Sequence, residues 1–398
     1  MSFGFFSRAL LALASILWSG IALADRANGP AQANNHFGFD LYEKIPSQSG
    51  NVVFSPHSIA EALALVHAGA RGKTAAAMSK VLHIPLSKPE WVKEELALDR
   101  TLQTDGNRGG QKLSIANALW LAKDLSIAPG YLQAIAGGGE TALSRADFRT
   151  DPERVRQSIN AWVEEVTAHK ITGLIPSGMI SRETLLAVVN AVYFKGDWAH
   201  PFEKEATREE PFKLHGGKSI SIPTLRQAHL FPYAENKEWQ AIELPYRDGG
   251  LSMVILLPRA DSLAALDKLL SGRELDAALE TLSPVQVDLA LPKFKVSGTL
   301  RLREQLSALG MANAFGAQAD FSGIAENLFI SEVIHKAYVA VDERGTEAAA
   351  ATAIVMEGNS LQMGPRKIFH ADHPFLFLIR HQATGAILFL GRVANPKN

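Results

Sequence analysis

The sequence predicts an α+β protein built as one large domain, and three observations carry that expectation. Amphipathic helical segments with clear caps dominate the first half. Strand-like segments punctuate it and then take over in the second half. Neither an internal repeat nor a low-complexity linker divides the chain, and the elements do not follow a regular βαβ alternation. With 398 residues, 47% of them hydrophobic and 20% charged, the chain can bury an extensive core.

The elements follow from local pattern. "FSPHSIAEALALVHAGARG" offers Ser55 as a helix cap and Pro56 at the first helical position, with Ile59, Leu63 and Val66 on one face and Gly69 as the stop. "KLSIANALWLA" alternates Leu113, Ile115, Leu119 and Leu121 with smaller residues, as a half-buried strand does. "TDPERVRQSINAWVEEVTAHKITG" repeats the helical grammar: Thr150 or Asp151 caps, Pro152 follows, Val155, Ile159, Trp162 and Val166 form a stripe, and Gly173 ends it. "LLAVVNAVYF" (185–194) is apolar on both parities, so a strand covered on two faces is expected. "VQVDLALPKF" alternates Val285, Val287, Leu289 and Leu291 with polar or small residues, and "SEVIHKAYVAVDE" (331–343) is a strand by Val333, Val339 and Val341. "PFLFLIR" (374–380) reads as a second central strand, joined through "QATG" to 386–393 in a hairpin.

Residues 1–24, "MSFGFFSRALLALASILWSGIALA", carry Arg8, an apolar run of about fifteen residues and the small-x-small end Ala22-Leu23-Ala24. This is the pattern of a secretory signal. The run is short for a membrane anchor, the alternative reading. The mature domain is then 25–398, exported to the periplasm or secreted. The chain has no cysteine, which excludes disulfides, thiol catalysis and a lipid-anchor cysteine after the signal. A formal net charge of -1 without blocks of like charge argues against nucleic-acid and anionic-membrane partners.

Enzyme signatures fail on spacing. "ARGKT" (70–74) ends like a phosphate-binding loop, but the leading glycine would fall at His67, and "AGGGE" (136–140) lacks the preceding strand of a dinucleotide site. There is no G-x-S-x-G elbow and no H-E-x-x-H. His370, His373 and His381 lie near strands without acidic co-ligands at helical spacing, so neither a metal nor another cofactor is expected. A triad assembled from distant residues would make the chain an exported hydrolase, a remote alternative.

Between the last two apolar strand regions lies a long segment, "DERGTEAAAATAIVMEGNSLQMGPRKIFHADHPF" (342–375), longer than a connection requires. Sorted by strand parity, one face of 345–357 holds Thr346, Ala348, Ala350, Thr352, Ile354 and Met356, and the other holds Glu347 and Glu357 among small or apolar residues. That is a strand with a buried side. Taken alone, Glu347–Ala351 favours a helix, since alanine is the best helix former. The strand running directly into Gly345 argues the other way, with the glycine as a hinge.

"NVVFSPHSIAEALALVHAGARGKTAAAM", "VNAVYFKGDW", "VDERGTEAAAATA" and "FHADHPFLFLIR" together resemble the serpin family of protease inhibitors, over nearly all of 34–396. The resemblance implies eight or nine helices around three β-sheets, with an exposed reactive-centre loop at about 343–373. It implies an exported bacterial member, monomeric, that is not an enzyme. Such a protein is a suicide substrate, trapping a serine or cysteine endopeptidase as a covalent acyl complex when the cut loop inserts as a new strand. A non-inhibitory binding or storage protein on the same fold is the alternative.

The resemblance also assigns residues. Glu343, Gly345, Thr346, Ala348, Ala350 and Thr352 correspond to the hinge. Trp198, Lys293 and Glu343 correspond to the breach where the large sheet first opens, and Ser55, Ser58, Asn190 and His335 to the shutter beneath its centre. Counting Gly345 as the fifteenth residue before the cut puts the reactive bond between Asn359 and Ser360. The loop is longer than is common, so Met356, Leu361 and Met363 remain alternatives.

Overall fold

The computed structural model of the chain describes residues 29–46, 50–85, 90–136, 142–247, 250–260, 263–270, 272–346 and 366–397. Residues 1–24, with the pattern expected of a secretory signal, and the loop candidates Ala348, Ala350, Thr352, Met356, Asn359, Ser360, Leu361 and Met363 lie outside the described residues. The elements, in chain order, begin with α1 (Pro30–Glu43), β1 (Val52–Phe54), α2 (Pro56–His67), α3 (Gly72–Val81), α4 (Trp91–Gly106), β2 (Lys112–Ala122), α5 (Pro129–Ala134), β3 (Ala142–Ala146), α6 (Pro152–Val166) and β4 (Leu186–Asp197). Then come β5 (Arg208–Lys213), β6 (Ser219–Glu235), β7 (Trp239–Pro245), β8 (Leu251–Pro258), α7 (Leu263–Leu269), α8 (Gly272–Glu280), β9 (Ser283–Pro292), β10 (Phe294–Arg301), α9 (Arg303–Leu306), β11 (Glu332–Val341), β12 (Gly345–Thr346), β13 (Lys367–His370), β14 (Phe375–His381) and β15 (Ile387–Val393).

Nine α-helices are present among the described residues, and the strands join into two hydrogen-bonded networks where three sheets are expected. The reason is the length of β6. It pairs with β5 through Ser219–Thr224, with β9 through Thr224–Tyr233 and with β7 through Tyr233–Glu235, so two of the expected sheets merge along one 17-residue strand. The merged network runs β1-β15-β14-β8-β7-β6-β9-β13, with β5 added on β6. The second network runs β10-β11-β12-β4-β2-β3, and β11 also pairs directly with β4.

The central strands are apolar on both parities because each face meets a different layer. On one side of β4, Val192 and Phe194 join Val339 and Val341 of β11 against Ile255, Phe377 and Leu388 of the nine-stranded network. On the other side, Val189 and Ala191 meet Val155, Ile159 and Val163 of α6, which lies over the sheet. Helix α2 is buried along almost its whole length, mostly through apolar residues but with His57, Ser58 and Glu61 buried among them. Ser55 caps it by accepting from Ser58 N, and Pro56 occupies its first position.

Helix α6 is capped by Asp151 through Arg154 N, but it stops at Val166, well before Gly173. The chain turns at Ala168 and His169, both at positive φ (51° and 61°), and Thr167 Oγ1 donates to Val163 O to close the last turn. A reversal without glycine at its turning point leaves no sequence signal, which is why the pattern overruns. The expected stripe also shifts: Val155, Ile159 and Val163 are buried, while Trp162 sits at the edge, its ring tilted 69° against Trp120.

Candidate functional site

Strands β4 and β11 run parallel through seven opposed pairs, from Ala187 opposite Glu332 to Tyr193 opposite Tyr338. Beyond that point they separate, and β12 fills the opening, with Thr346 opposite Val341 on one side and Gly196 on the other. Gly345 lies against Asp197. A Cβ there would fall 2.0 Å from Gly196 O and 2.7 Å from Asp197 Cα, so only glycine passes this close to the neighbouring backbone.

The opening is closed from above by a knot of polar contacts. Trp198 is buried, stacks on Tyr246 at 4.7 Å and donates from Nε1 to Asp342 O at 3.0 Å. The Tyr246 hydroxyl lies 2.6 Å from Thr346 Oγ1. Lys293 Nζ reaches both Glu343 oxygens, at 3.0 and 2.8 Å, and Thr207 Oγ1 donates to the same carboxylate. Burial alone would raise the Glu343 carboxyl, but the Lys293 ammonium and these hydrogen bonds hold it below the usual carboxylate range. Trp198, Lys293 and Glu343 are thus brought together around the first inserted residues.

A second polar group lies at mid-height. Asn117 of β2, Asn190 of β4 and His335 of β11 stand opposite one another across the sheet and point at the start of α2. His335 Nε2 accepts from Ser55 N at 3.0 Å, which places the imidazole proton on Nδ1, where it is donated to Asn190 Oδ1. Complete burial holds this histidine neutral, its pKa pushed down to about 3. Asn190 Nδ2 donates to Ser58 O at 2.8 Å, to Ser58 Oγ and to Asn117 Oδ1, and Ser58 Oγ donates to Asn117 Oδ1 at 2.9 Å. Ser55, Ser58, Asn190 and His335 are therefore one connected network, and the link from Asn190 to His335 spans the seam between β4 and β11.

Sequence reasoning overlooked two parts of this network. Asn117 sits in "IANAL" as Asn190 sits in "VVNAV", a polar residue amid an apolar strand, and that parallel was a usable signal. The network also continues from Asn117 Nδ2 to Glu61 Oε2 and into a buried group of His57, Glu61, Glu95 and Asp99. His57 and Glu61 are four residues apart on α2, as Glu95 and Asp99 are on α4, so each pair shares a helix face. Their companionship is a property of helix packing that neither segment shows by itself.

Comparison with known proteins matches residues 32–396 to the family Serpin (serine protease inhibitor). The chain is similar to the leukocyte elastase inhibitor of Xenopus laevis, at 40% identity over 92% of this chain and 99% of that protein. It is similar at 40% identity to a serpin-like protein of Thermococcus kodakarensis, over 92% of this chain and 85% of the relative. Among solved structures, a highly specific serpin of the insect Tenebrio molitor superposes with a TM-score of 0.80 at 31% identity, covering 92% of this chain and 97% of the other. These relatives come from an archaeon, an amphibian and an insect, and they give no support to a bacterial or an exported origin. No described helix is long and apolar enough to cross a membrane.

Proposed function

The chain belongs to the serpin family, and from that premise we propose that it is a single-use inhibitor of serine endopeptidases, with cysteine endopeptidases as a further target class. The observation that carries this reading is the register around Thr346. Each β11 residue lies opposite the β4 residue 145 positions earlier, as Tyr338 does opposite Tyr193, and the same offset of 145 separates Val341 from Gly196, the two residues flanking Thr346. A strand continuing from β12 would meet both neighbours in register. The two strands need only part; they need not slide.

If the chain continued along that register, Ala348 would fall between Phe194 and Val339, Ala350 between Val192 and Ala337, and Thr352 between Asn190 and His335, by extrapolation from the pairs at Thr346. These neighbours are fully buried, so the hinge face must be small. The opposite face also matters. Ala349, Ala351 and Ala353 would pass beneath α6, which packs on Val189, Ala191 and Ile334. A run of alanine suits both demands where a single-face rule explains only half of it.

The register also bears on the reactive bond. The paired stretch of β4 and β11 begins at Ala187 and Glu332, which lie opposite the position of Val355, and Met356 would fall level with Leu186 at the end of β4. A residue tethered to a protease must clear the sheet, which disfavours Met356 and leaves Asn359 before Ser360, with Leu361 and Met363 as the other candidates. In the reaction, the protease nucleophile attacks the carbonyl carbon of that residue, the C–N bond breaks, and the leaving amine takes a proton from the protease's general acid. The acyl bond to the protease remains while the freed segment inserts and carries the enzyme with it.

The leader-like residues 1–24 support export before folding, and the domain acts as a monomer. Incubation with a panel of endopeptidases tests the reading. An SDS-stable complex and a new N-terminus at Ser360, Gln362 or Gly364 are expected. Cleavage by every protease that acts on the loop, with neither a complex nor a change in stability, would instead make it a binding or storage member of the family.

A further inference from the structure

Two helices bring four ionisable side chains together beneath the polar network. His57 and Glu61 of α2 and Glu95 and Asp99 of α4 are all buried, the most exposed at 6%. One ligand atom from each of His57, Glu61 and Asp99 lies within 4.8 Å of the others. His57 Nε2 is 3.4 Å from Asp99 Oδ1. A charge-assisted hydrogen bond would close to about 2.8 Å. In a tetrahedral site with metal–ligand bonds of about 2.1 Å, two ligand atoms lie about 3.4 Å apart.

The other atoms of these groups are held from outside. Asp99 Oδ2 accepts from Gln103 Nε2, and Glu61 Oε2 from Asn117 Nδ2. On the far edge of the imidazole, Nδ1 lies 3.4 Å from Glu95 Oε1 and 3.2 Å from Asn34 Nδ2, which also donates to that oxygen. Ligating carboxylates fixed by amides, and an imidazole backed by a carboxylate, form the supporting shell that metal sites use. Glu95 gives an independent indication. Its Oε1 faces the imidazole, while its buried Oε2 has no hydrogen-bond partner among the described residues. Three buried carboxylates moreover surround a single imidazole, and a divalent cation would offset most of their charge.

We propose that His57 Nε2, Glu61 and Asp99 bind a divalent transition-metal cation of the zinc class, with Glu95 as the outer partner of the imidazole. Nitrogen and oxygen donors in this mixture suit that class. The imidazole binds through its unprotonated Nε2 and the carboxyl groups bind as carboxylates. Because Asn117 joins Glu61 to Ser58 and Asn190, the cation braces the network at the seam from the side opposite His335.

The test uses the full chain, stripped with a chelator or refolded without metal, and titrated with Zn2+ and with Co2+ as a spectroscopic probe. The expected result is one equivalent of either metal per chain and intense four-coordinate Co2+ absorption bands. Asp99→Asn should weaken binding at least about 10-fold, whereas His83→Ala, a change at the exposed His36–His83–Asp40 contact, should leave it unchanged. No bound equivalent, a six-coordinate Co2+ spectrum, or affinity lost with His83→Ala but kept with Asp99→Asn would overturn the proposal. If Asp99→Asn does not fold, Glu61→Gln and the wild-type Co2+ spectrum decide the matter.

Discussion

A single cut in the loop C-terminal to Glu357 should make the protein markedly more stable. The present seam between β4 and β11 is one parallel ladder of seven opposed pairs. Insertion of 347–355 in register replaces it with two antiparallel ladders of about nine residues each, a net gain of roughly ten main-chain hydrogen bonds. At about 1 kcal/mol net per bond, the cut form gains on the order of 10 kcal/mol. For the 365 residues of 32–396, an unfolding entropy of about 2.1 cal/mol/K per residue gives roughly 0.8 kcal/mol/K, so the Tm should rise by about 13 °C. The assay is calorimetry on intact protein and on protein whose single cut has been verified by mass spectrometry. A cut form melting at or below the intact one would refute the reasoning, because the stored free energy would not exist.

Three further outcomes follow from the same geometry. Ala350→Glu would place a carboxylate between Val192 and Ala337, both fully buried, at a cost of several kcal/mol; proteases should then cleave the variant without forming an SDS-stable complex or raising its Tm. Lys293→Ala leaves the mostly buried Glu343 carboxylate without its cation, so spontaneous loss of inhibitory titre at 40 °C should quicken about tenfold, matching a loss of about 1–2 kcal/mol; an unchanged half-life would remove the pair from the closing contacts. His335 has a native pKa of about 3, whereas the unfolded chain takes up that proton near 6.5, so stability should fall by about 1.4 kcal/mol per pH unit as pH drops from 6.5 toward 3. His335→Gln should lack that part of the acid slope in urea midpoints, while the metal-free wild type should also weaken as pH rises from 6.5 toward 10, where unfolded His57 has lost a proton that the native residue keeps.

What could be read from the sequence was whatever a short window contains. Helix α2 was legible because Ser55, Pro56 and its apolar face lie within one segment, and β2 and β4 because parity reports burial directly. Lys293 and Glu343 could be paired through resemblance alone, since 50 residues separate them and only the fold brings them within 2.8 Å. The end of α6 was not legible, because its chain reversal uses Ala168 and His169 where the pattern offers Gly173. The fusion of two expected sheets was hidden in the reach of β6, a length visible in the pattern whose changing partners are not. The His57–Asp99 cluster escaped because each helix contributes half of it, and an ionisable pair on one helix face ordinarily faces solvent.

In the proposed mechanism the contacts that hold the intact form are of two kinds, and they would oppose different parts of the same movement. At the top, Lys293, Tyr246 and Trp198 hold the first inserted residues where β4 and β11 have already separated, so releasing them costs hydrogen bonds but opens no buried seam. At mid-height the seam is still closed, and the Asn190–His335 bond must break before Thr352 can enter. Breaking it exposes an imidazole whose neutrality depends on burial and on Ser55 N. Thr352 is suited to that place: its hydroxyl can both donate and accept, so it can replace at least one bond that each neighbour loses. Over the outer face, Lys336 Nζ ties β11 to Thr172 O at 2.9 Å, holding the segment after α6 across the path of Ala351. Because strand offset is preserved throughout, none of these contacts has to guide the loop into register; their work is to set when the seam opens. If the chain works as proposed, a barrier assembled from a few local contacts, with the register supplied in advance, would let a chain without disulfides remain intact until cut and then rearrange in one direction.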